Sequence, residues 1–173
     1  MSSFKLKVLL AGDIAVDKSS LIQQFIKNRF QTNYKLTVGV DILTKDVEYT
    51  QGEIATLSIW DLGGQQRFEF IRNTFYKGAA GVILIFDLTR EQTYNETKKL
   101  LTEIRQSAGP IPFILIGDNV QLFELTGIPV IRDEAHEFAR NEGGIYIEMS
   151  PTNEDIVEEA FCELARRIIN LRN

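Results

Sequence analysis

The residues best placed to do chemistry lie in Ala11–Ser20, AGDIAVDKSS, between an apolar run and the start of a helical pattern. Gly12, Lys18 and Ser19 hold positions of the pattern G-x-x-x-x-G-K-[ST], in which a glycine-framed backbone wraps around phosphate groups. A lysine there presents a point charge to the outer phosphates, and a serine hydroxyl can ligate Mg²⁺. The unpaired N–H groups that open the following helix favour an anion. Taken singly, a Lys-Ser pair at a helix start reads equally well as a solvated, capped terminus. The second glycine of the pattern is missing, and Asp17 stands in its place. Glycine lets the backbone approach a phosphate closely. A carboxylate about 4 Å from a phosphate charge, at an effective dielectric of about 20, is repelled by roughly 4 kcal/mol. That is about a thousandfold in affinity.

The elements that must carry this loop can be read from hydrophobic periodicity. Phe4 to Ala11 alternates and then becomes continuously apolar, as a buried parallel strand does. Leu21, Ile22, Phe25, Ile26 and Phe30 recur at helical spacing, which predicts a helix over 19–30. Residues 31–37 read as a polar loop. Residues 38–50 alternate through Val38, Val40 and Ile42 and later Val47 and Tyr49, with one phase slip between; Gln51-Gly52 supplies a turn, and 54–60 alternates back, so a β-hairpin is expected with one antiparallel strand. Further strands are expected at 81–87, 111–117 and 145–147, and helices at 91–106, 132–141 and 153–171. Gly143-Gly144 supplies a helix stop, and 118–129 reads as irregular. Alternating strands and helices predict one α/β domain over 1–173: a doubly wound, six-stranded and mostly parallel sheet with helices on both faces. Ligands on such sheets bind at the carboxyl ends of the strands, here Gly12, Asp61, Asp118 and Ser150 with their loops.

Composition narrows the function classes. The chain has 173 residues, 44% hydrophobic and 25% charged, which suits one ordinary globular domain. A net charge of -5 supplies no general attraction to nucleic acid. One cysteine and one histidine rule out a Cys/His zinc site and an intramolecular disulfide. His136, among Asp133, Glu134 and Glu137, is expected on a helix surface without a role. No signal peptide or apolar run of about 18 residues is evident. The terminal Asn-Leu-Arg-Asn carries no cysteine for prenylation. A cytoplasmic protein with no direct membrane anchor is the expectation.

Ordered motifs extend along nearly the whole chain. Tyr34 to Asp41 reads YKLTVGVD, Trp60 to Phe68 reads WDLGGQQRF, and Phe75 to Ala79 precedes GVILIFDLT. Glu148-Met149-Ser150 leads into VEEAF at 157–161. With the glycine-led loop, these segments resemble the Ras superfamily of small GTPases, and most closely its Rab branch. The resemblance implies the small-GTPase (G domain) fold, GTP or GDP with Mg²⁺ as cofactors, and a molecular switch. It places Gly12, Asp13, Ile14, Ala15, Val16, Asp17, Lys18, Ser19 and Ser20 around the phosphates. Phe30 and Tyr34 join the nucleotide contacts. Ser19, Thr37 and Asp61 would serve the metal, Gly64 would sense the γ-phosphate, and Gln65 would orient the attacking water as the catalytic residue. Effectors or regulators would be met through the switch regions Gln31–Asp41 and Asp61–Tyr76. Phe68, Phe70, Phe75 and Tyr76 read either as an effector-facing patch or as packing against the sheet.

Against the family pattern the departures gather on the nucleotide. Besides Asp17, Ile14 and Ala15 stand where many members have glycine, and Ile14 is bulky beside Gln65, so hydrolysis is expected to be slow. The base-recognition motif N-K-x-D becomes Asp118-Asn119-Val120-Gln121. A neutral Gln121 forgoes charge-assisted bonds of roughly 1.5–3 kcal/mol each, and Asn119 lacks a lysine stem. S-A-K becomes Ser150-Pro151-Thr152, where Pro151 has no N–H to donate. Two functions follow: a divergent switch with weakened guanine-nucleotide binding, or a pseudo-GTPase kept as a protein-interaction module.

Overall fold

The computed structural model describes residues 4–13, 16, 18, 21, 34–35, 41–62, 74–126, 130–149 and 154–172. The strands are β1 (Phe4–Gly12), β2 (Tyr34–Lys35), β3 (Asp41–Thr50), β4 (Glu53–Asp61), β5 (Gly81–Asp87), β6 (Phe113–Asp118) and β7 (Ile145–Glu148). The helices whose bounds are described are α1 (Glu91–Ala108), α2 (Val120–Thr126), α3 (Val130–Glu142) and α4 (Glu154–Arg172), and residues 74–76 are also helical. One sheet takes them in the order β2-β3-β4-β1-β5-β6-β7. Only β3 runs against the rest, pairing antiparallel with β2 and β4. The other pairs are parallel. This is the expected six-stranded frame, with the two-residue β2 added at the β3 edge. The helix expected over 19–30 lies outside the described residues, apart from Leu21.

Why the central strands read as unbroken apolar runs is visible in how they divide. Leu6, Val8 and Leu10 of β1, Ile83 and Ile85 of β5, and Ile114 and Ile116 of β6 pack with Val157, Phe161, Leu164 and Ile168 of α4. Their neighbours Leu9, Val82, Leu84, Phe86, Phe113 and Leu115 face the other way. There they pack with Tyr94, Leu101 and Ile104 of α1 and with Ala135 and Ala139 of α3. Successive side chains on a strand point to opposite faces, so a strand covered by helices on both sides must be apolar at every position.

Two expectations need correction. First, from Leu43 to Tyr49 the alternation of β3 is unbroken: Leu43, Lys45, Val47 and Tyr49 all face inward, the register with β4 shifts only at Glu48/Thr50, and residues 38–40 lie outside the described residues. Lys45 breaks the hydrophobic pattern but not the geometry. Only 6% exposed, it donates from Nζ to Glu158 Oε1 of α4 at 2.7 Å, and its ammonium lies 5.6 Å from the centre of the Phe161 ring. Second, the stretch read as irregular contains α2. This seven-residue helix is too short for a 3.6-residue period to declare itself. Its described anchor is Phe123, buried with the Arg132 guanidinium 4.4 Å from the ring centre.

The predicted stop of α3 is observed. Gly143 has φ 80, and the Gly144 N–H donates to Ala139 O at 2.7 Å, closing the helix through a left-handed residue that glycine adopts without strain.

Candidate functional site

Parallel pairing brings the carboxyl ends of the strands to one edge. Leu10 lies opposite Asp61, Gly12 opposite Ile85, Asp87 opposite Asp118, and Gly117 opposite Glu148. Gly12, Asp61 and Asp118 therefore share the edge at which a doubly wound sheet receives ligands. Their loops are joined by main-chain bonds: Leu62 N–H to Leu10 O at 3.3 Å, Leu88 N–H to Asp118 O at 3.0 Å, and Met149 N–H to Gly117 O at 2.9 Å.

Backbone geometry shapes the phosphate side. A Cβ added at Gly12 would stand 2.6 Å from Ile85 O, so β1 can approach β5 this closely only with glycine. The chain then turns through Val16 N–H to Asp13 O at 2.9 Å, and the buried Val16 and Leu21 anchor the loop in the core. Lys18 is partly exposed. Tyr34 and Lys35 enter through main-chain pairing with Ile42 and Asp41. Ile14, Ala15, Asp17, Ser19, Ser20, Phe30, Thr37, Gly64, Gln65, Ser150, Pro151 and Thr152 lie outside the described residues. Of the three metal-ligand candidates, only Asp61 is described. It sits partly exposed at the end of β4. The described residues contain no cluster of three or more His, Cys, Asp or Glu suited to a metal. With Ser19 and Thr37, Asp61 would make a set of hard oxygen donors, which is the chemistry Mg²⁺ takes.

Side chains shape the base side. Asn119 has φ 62, a left-handed conformation that asparagine tolerates better than most residues. Its Nδ2 donates to Asp87 Oδ2 at 2.9 Å. Asp87 Oδ1 accepts from the Thr89 N–H at 2.8 Å and the Thr89 hydroxyl at 2.6 Å. Arg90 Nε reaches Asp87 Oδ2 at 3.2 Å. Burial alone would raise the Asp87 pKa, but the bonds from Thr89, Asn119 and Arg90 outweigh it and hold the carboxyl below its ordinary value. Asp87 is thus a charged hub at the end of a wholly apolar strand. Gln121 belongs to α2.

Sequence reasoning missed this hub, treating Asp87 only as a strand boundary. The signal was Asp-x-Thr, since Asp side chains bond the backbone N–H two residues on. Also missed was Arg132, whose Nε and Nη2 reach Glu148 Oε2 and Oε1 at 2.6 and 2.9 Å. Nothing local in the sequence pairs two residues sixteen apart.

Of the aromatic patch, Tyr76 is fully buried and so belongs to the packing. Phe75 is partly exposed, with its ring centre 5.9 Å from that of Trp60. Phe68 and Phe70 lie outside the described residues. Lys7 Nζ sits 4.1 Å over the Trp60 ring and donates to Lys77 O at 2.8 Å. Across the hairpin, Ile42 stands opposite Trp60. Among the described residues no helix is long and apolar enough to cross a membrane.

A parallel sheet with a single reversed strand, a glycine-led loop after β1 and acidic residues closing β4, β5 and β6 define the phosphate-loop GTPase fold. Comparison with known proteins places it further. The Ras family model matches residues 7–170. The chain is 35% identical to the Ras-related protein Rab-22A of Mus musculus over 169 residues, 97% of this chain and 86% of that protein. It is 36% identical to the Ras-related protein RABA4b of Arabidopsis thaliana over 168 residues, 96% of this chain and 74% of that protein. The chain belongs to the Ras family, as a Rab-like small GTPase.

Proposed function

We propose that this protein is a GTP/GDP-binding switch whose hold on guanine is weakened while its provision for Mg²⁺ and the γ-phosphate is kept. One observation carries the reading: the Asn119 amide is tied to Asp87 at 2.9 Å. The residue at the position of the family lysine thus turns a polar group toward the end of β5 and has no long stem to lay over a base. Gln121 compounds this, because a neutral amide forms weaker bonds than a carboxylate. On the phosphate side, Gly12 keeps its close approach to β5 and Asp61 closes β4 beside it. Lys18, Ser19, Thr37, Gly64 and Gln65 supply the remaining groups by family position. Mg²⁺, when bound by Ser19, Thr37 and Asp61, would neutralise phosphate charge. By family position, Ile14 would crowd the place that Gln65 needs, which favours slow hydrolysis.

Effector and regulator proteins are proposed to engage 31–41 and 61–76, with the partly exposed Ile42, Trp60 and Phe75 as an apolar step on that surface. A cytoplasmic location completes the proposal and is checked by cell fractionation.

A second reading, a pseudo-GTPase interaction module, is favoured by the Asp87 hub, whose carboxylate oxygens are already supplied with donors from Thr89, Arg90 and Asn119. Extraction of nucleotide from freshly purified protein, followed by calorimetric titration of GDP and GTP with Mg²⁺, separates the two. Bound nucleotide or a measurable heat is expected. Neither bound nucleotide nor heat at about millimolar ligand, a binding free energy near 4 kcal/mol, would leave the module reading in place.

A further inference from the structure

Arg132 lies on α3, outside every motif of the nucleotide site, and is joined both to α2 and to the end of β7. Its fork takes the Glu148 carboxylate in two bonds, from Nε at 2.6 Å and Nη2 at 2.9 Å. Nη2 also reaches Glu124 Oε1 at 2.8 Å, and the guanidinium plane stands 4.4 Å from the Phe123 ring centre. Glu148 is the last residue of β7 and directly precedes Met149 and Ser150. Phe123 and Glu124 follow Gln121 on α2. A third contact closes the circuit. Tyr146 donates its hydroxyl to Glu148 Oε2 at 2.8 Å, and a Cβ added at Gly117 would stand 2.8 Å from that hydroxyl. Met149 N–H completes it by donating to Gly117 O. Burial works against the charge on Arg132, but its bonds to Glu148 and Glu124 raise its pKa, so the cation persists.

We infer that Arg132 is the positioning residue for the base side of the site: it fixes α2, which follows β6, against the carboxyl end of β7. The inference rests on the nucleotide-binding reading above and assigns its base grip to a residue outside the motifs. A planar fork can serve two carboxylates in fixed directions at once, and an ammonium cannot reproduce that geometry. With Gln121 and Pro151 offering weakened contacts, the placement of what remains depends on this tie.

The test uses the full chain with Arg132→Met and Arg132→Lys. Arg105→Met serves as a comparator, since Arg105 is paired with Glu142 at 3.1 Å near the opposite edge of the sheet. Mg-GDP and inorganic tripolyphosphate are titrated against each variant. For Arg132→Met, GDP affinity is expected to fall about tenfold, the scale of a lost coupling of about 1.4 kcal/mol. Tripolyphosphate affinity should stay within about twofold, and Arg132→Lys should fall between wild type and Arg132→Met. Arg105→Met should lower the melting temperature without changing the GDP-to-tripolyphosphate ratio. Equal losses for both ligands, or no loss in a folded Arg132→Met, overturn the inference. If the wild-type chain binds no GDP, the proposed function fails by itself, and amide hydrogen exchange then decides Arg132. Faster exchange in Arg132→Met at both 117–123 and 148–149, with 81–87 unchanged, supports the tie; unchanged exchange at either segment overturns it.

Discussion

The two halves of the ligand-binding edge are built by different means. On the phosphate side the main chain itself makes close contacts: Gly12 against Ile85 O, Val16 N–H on Asp13 O, and Leu62 N–H on Leu10 O. On the base side main-chain bonds, Leu88 N–H on Asp118 O and Met149 N–H on Gly117 O, are joined by side-chain ones, Asn119 on Asp87 and Arg132 on Glu148. A backbone-built region depends on chain path, so it withstands most substitutions except those that obstruct the path. A side-chain network depends on a few atoms, and removing one partner leaves the others buried without their bonds. That difference suits the family departure at Asn119, whose amide has closed on Asp87.

The largest effect expected is at the phosphate side, where charge bears on the ligand. Asp17→Gly removes a repulsion whose upper bound is roughly 4 kcal/mol, and GDP affinity by calorimetry should rise by as much as about a thousandfold. An unchanged affinity would mean that Asp17 points away from the phosphates or that the base side limits binding, and either outcome reverses the comparison. Next comes Gly12→Ala, whose new methyl group meets main chain and not a yielding side chain. Overpacking of this kind costs about 1–3 kcal/mol, which thermal melting would show. A variant as stable as wild type would mean that β1 and β5 separate easily.

On the base side, Asp87→Asn should destabilise by about 1–3 kcal/mol at neutral pH, because its amide would face the donors now serving a carboxylate. The pH dependence has a definite sign. Since the folded-state pKa of Asp87 is lowered, its stabilisation is present above the unfolded value of about 3.9 and is lost as pH falls through the folded value. Urea titrations should therefore show the gap between wild type and Asp87→Asn narrowing below about pH 4. A constant gap would mean that the carboxylate charge contributes nothing.

The smallest effect tests the tie between β3 and α4, Lys45 on Glu158. Lys45→Met removes a buried ammonium and leaves a carboxylate with water access, so stability should change by less than about 1 kcal/mol. Glu158→Ala strands the buried ammonium and should cost more, about 1–3 kcal/mol. Equal costs for the two would show that Lys45 finds water after all.

Much of this was legible beforehand because each sign was local. Unbroken apolar runs such as GVILIFD announced strands covered on both faces, and 81–87 is β5 as expected. Gly143-Gly144 announced the end of α3. The family and its ordered motifs were equally open to reading, since glycine, lysine, serine and aspartate keep their spacing whatever surrounds them.

What the sequence could not show were the interactions that need two distant segments at once. Lys45 looked like a slip in the strand because its partner Glu158 is 113 residues away. The helix α2 looked irregular because its described anchor, Phe123, meets a guanidinium from α3. Asp87 and Asn119 looked like a strand end and a damaged motif until parallel pairing set the ends of β5 and β6 side by side. Residue type and spacing determined the family, the layers and the groups offered to phosphate. Tertiary structure alone decided which of the base-side polar groups are already engaged, because a hydrogen bond between segments exists only once the sheet has brought them within about 3 Å.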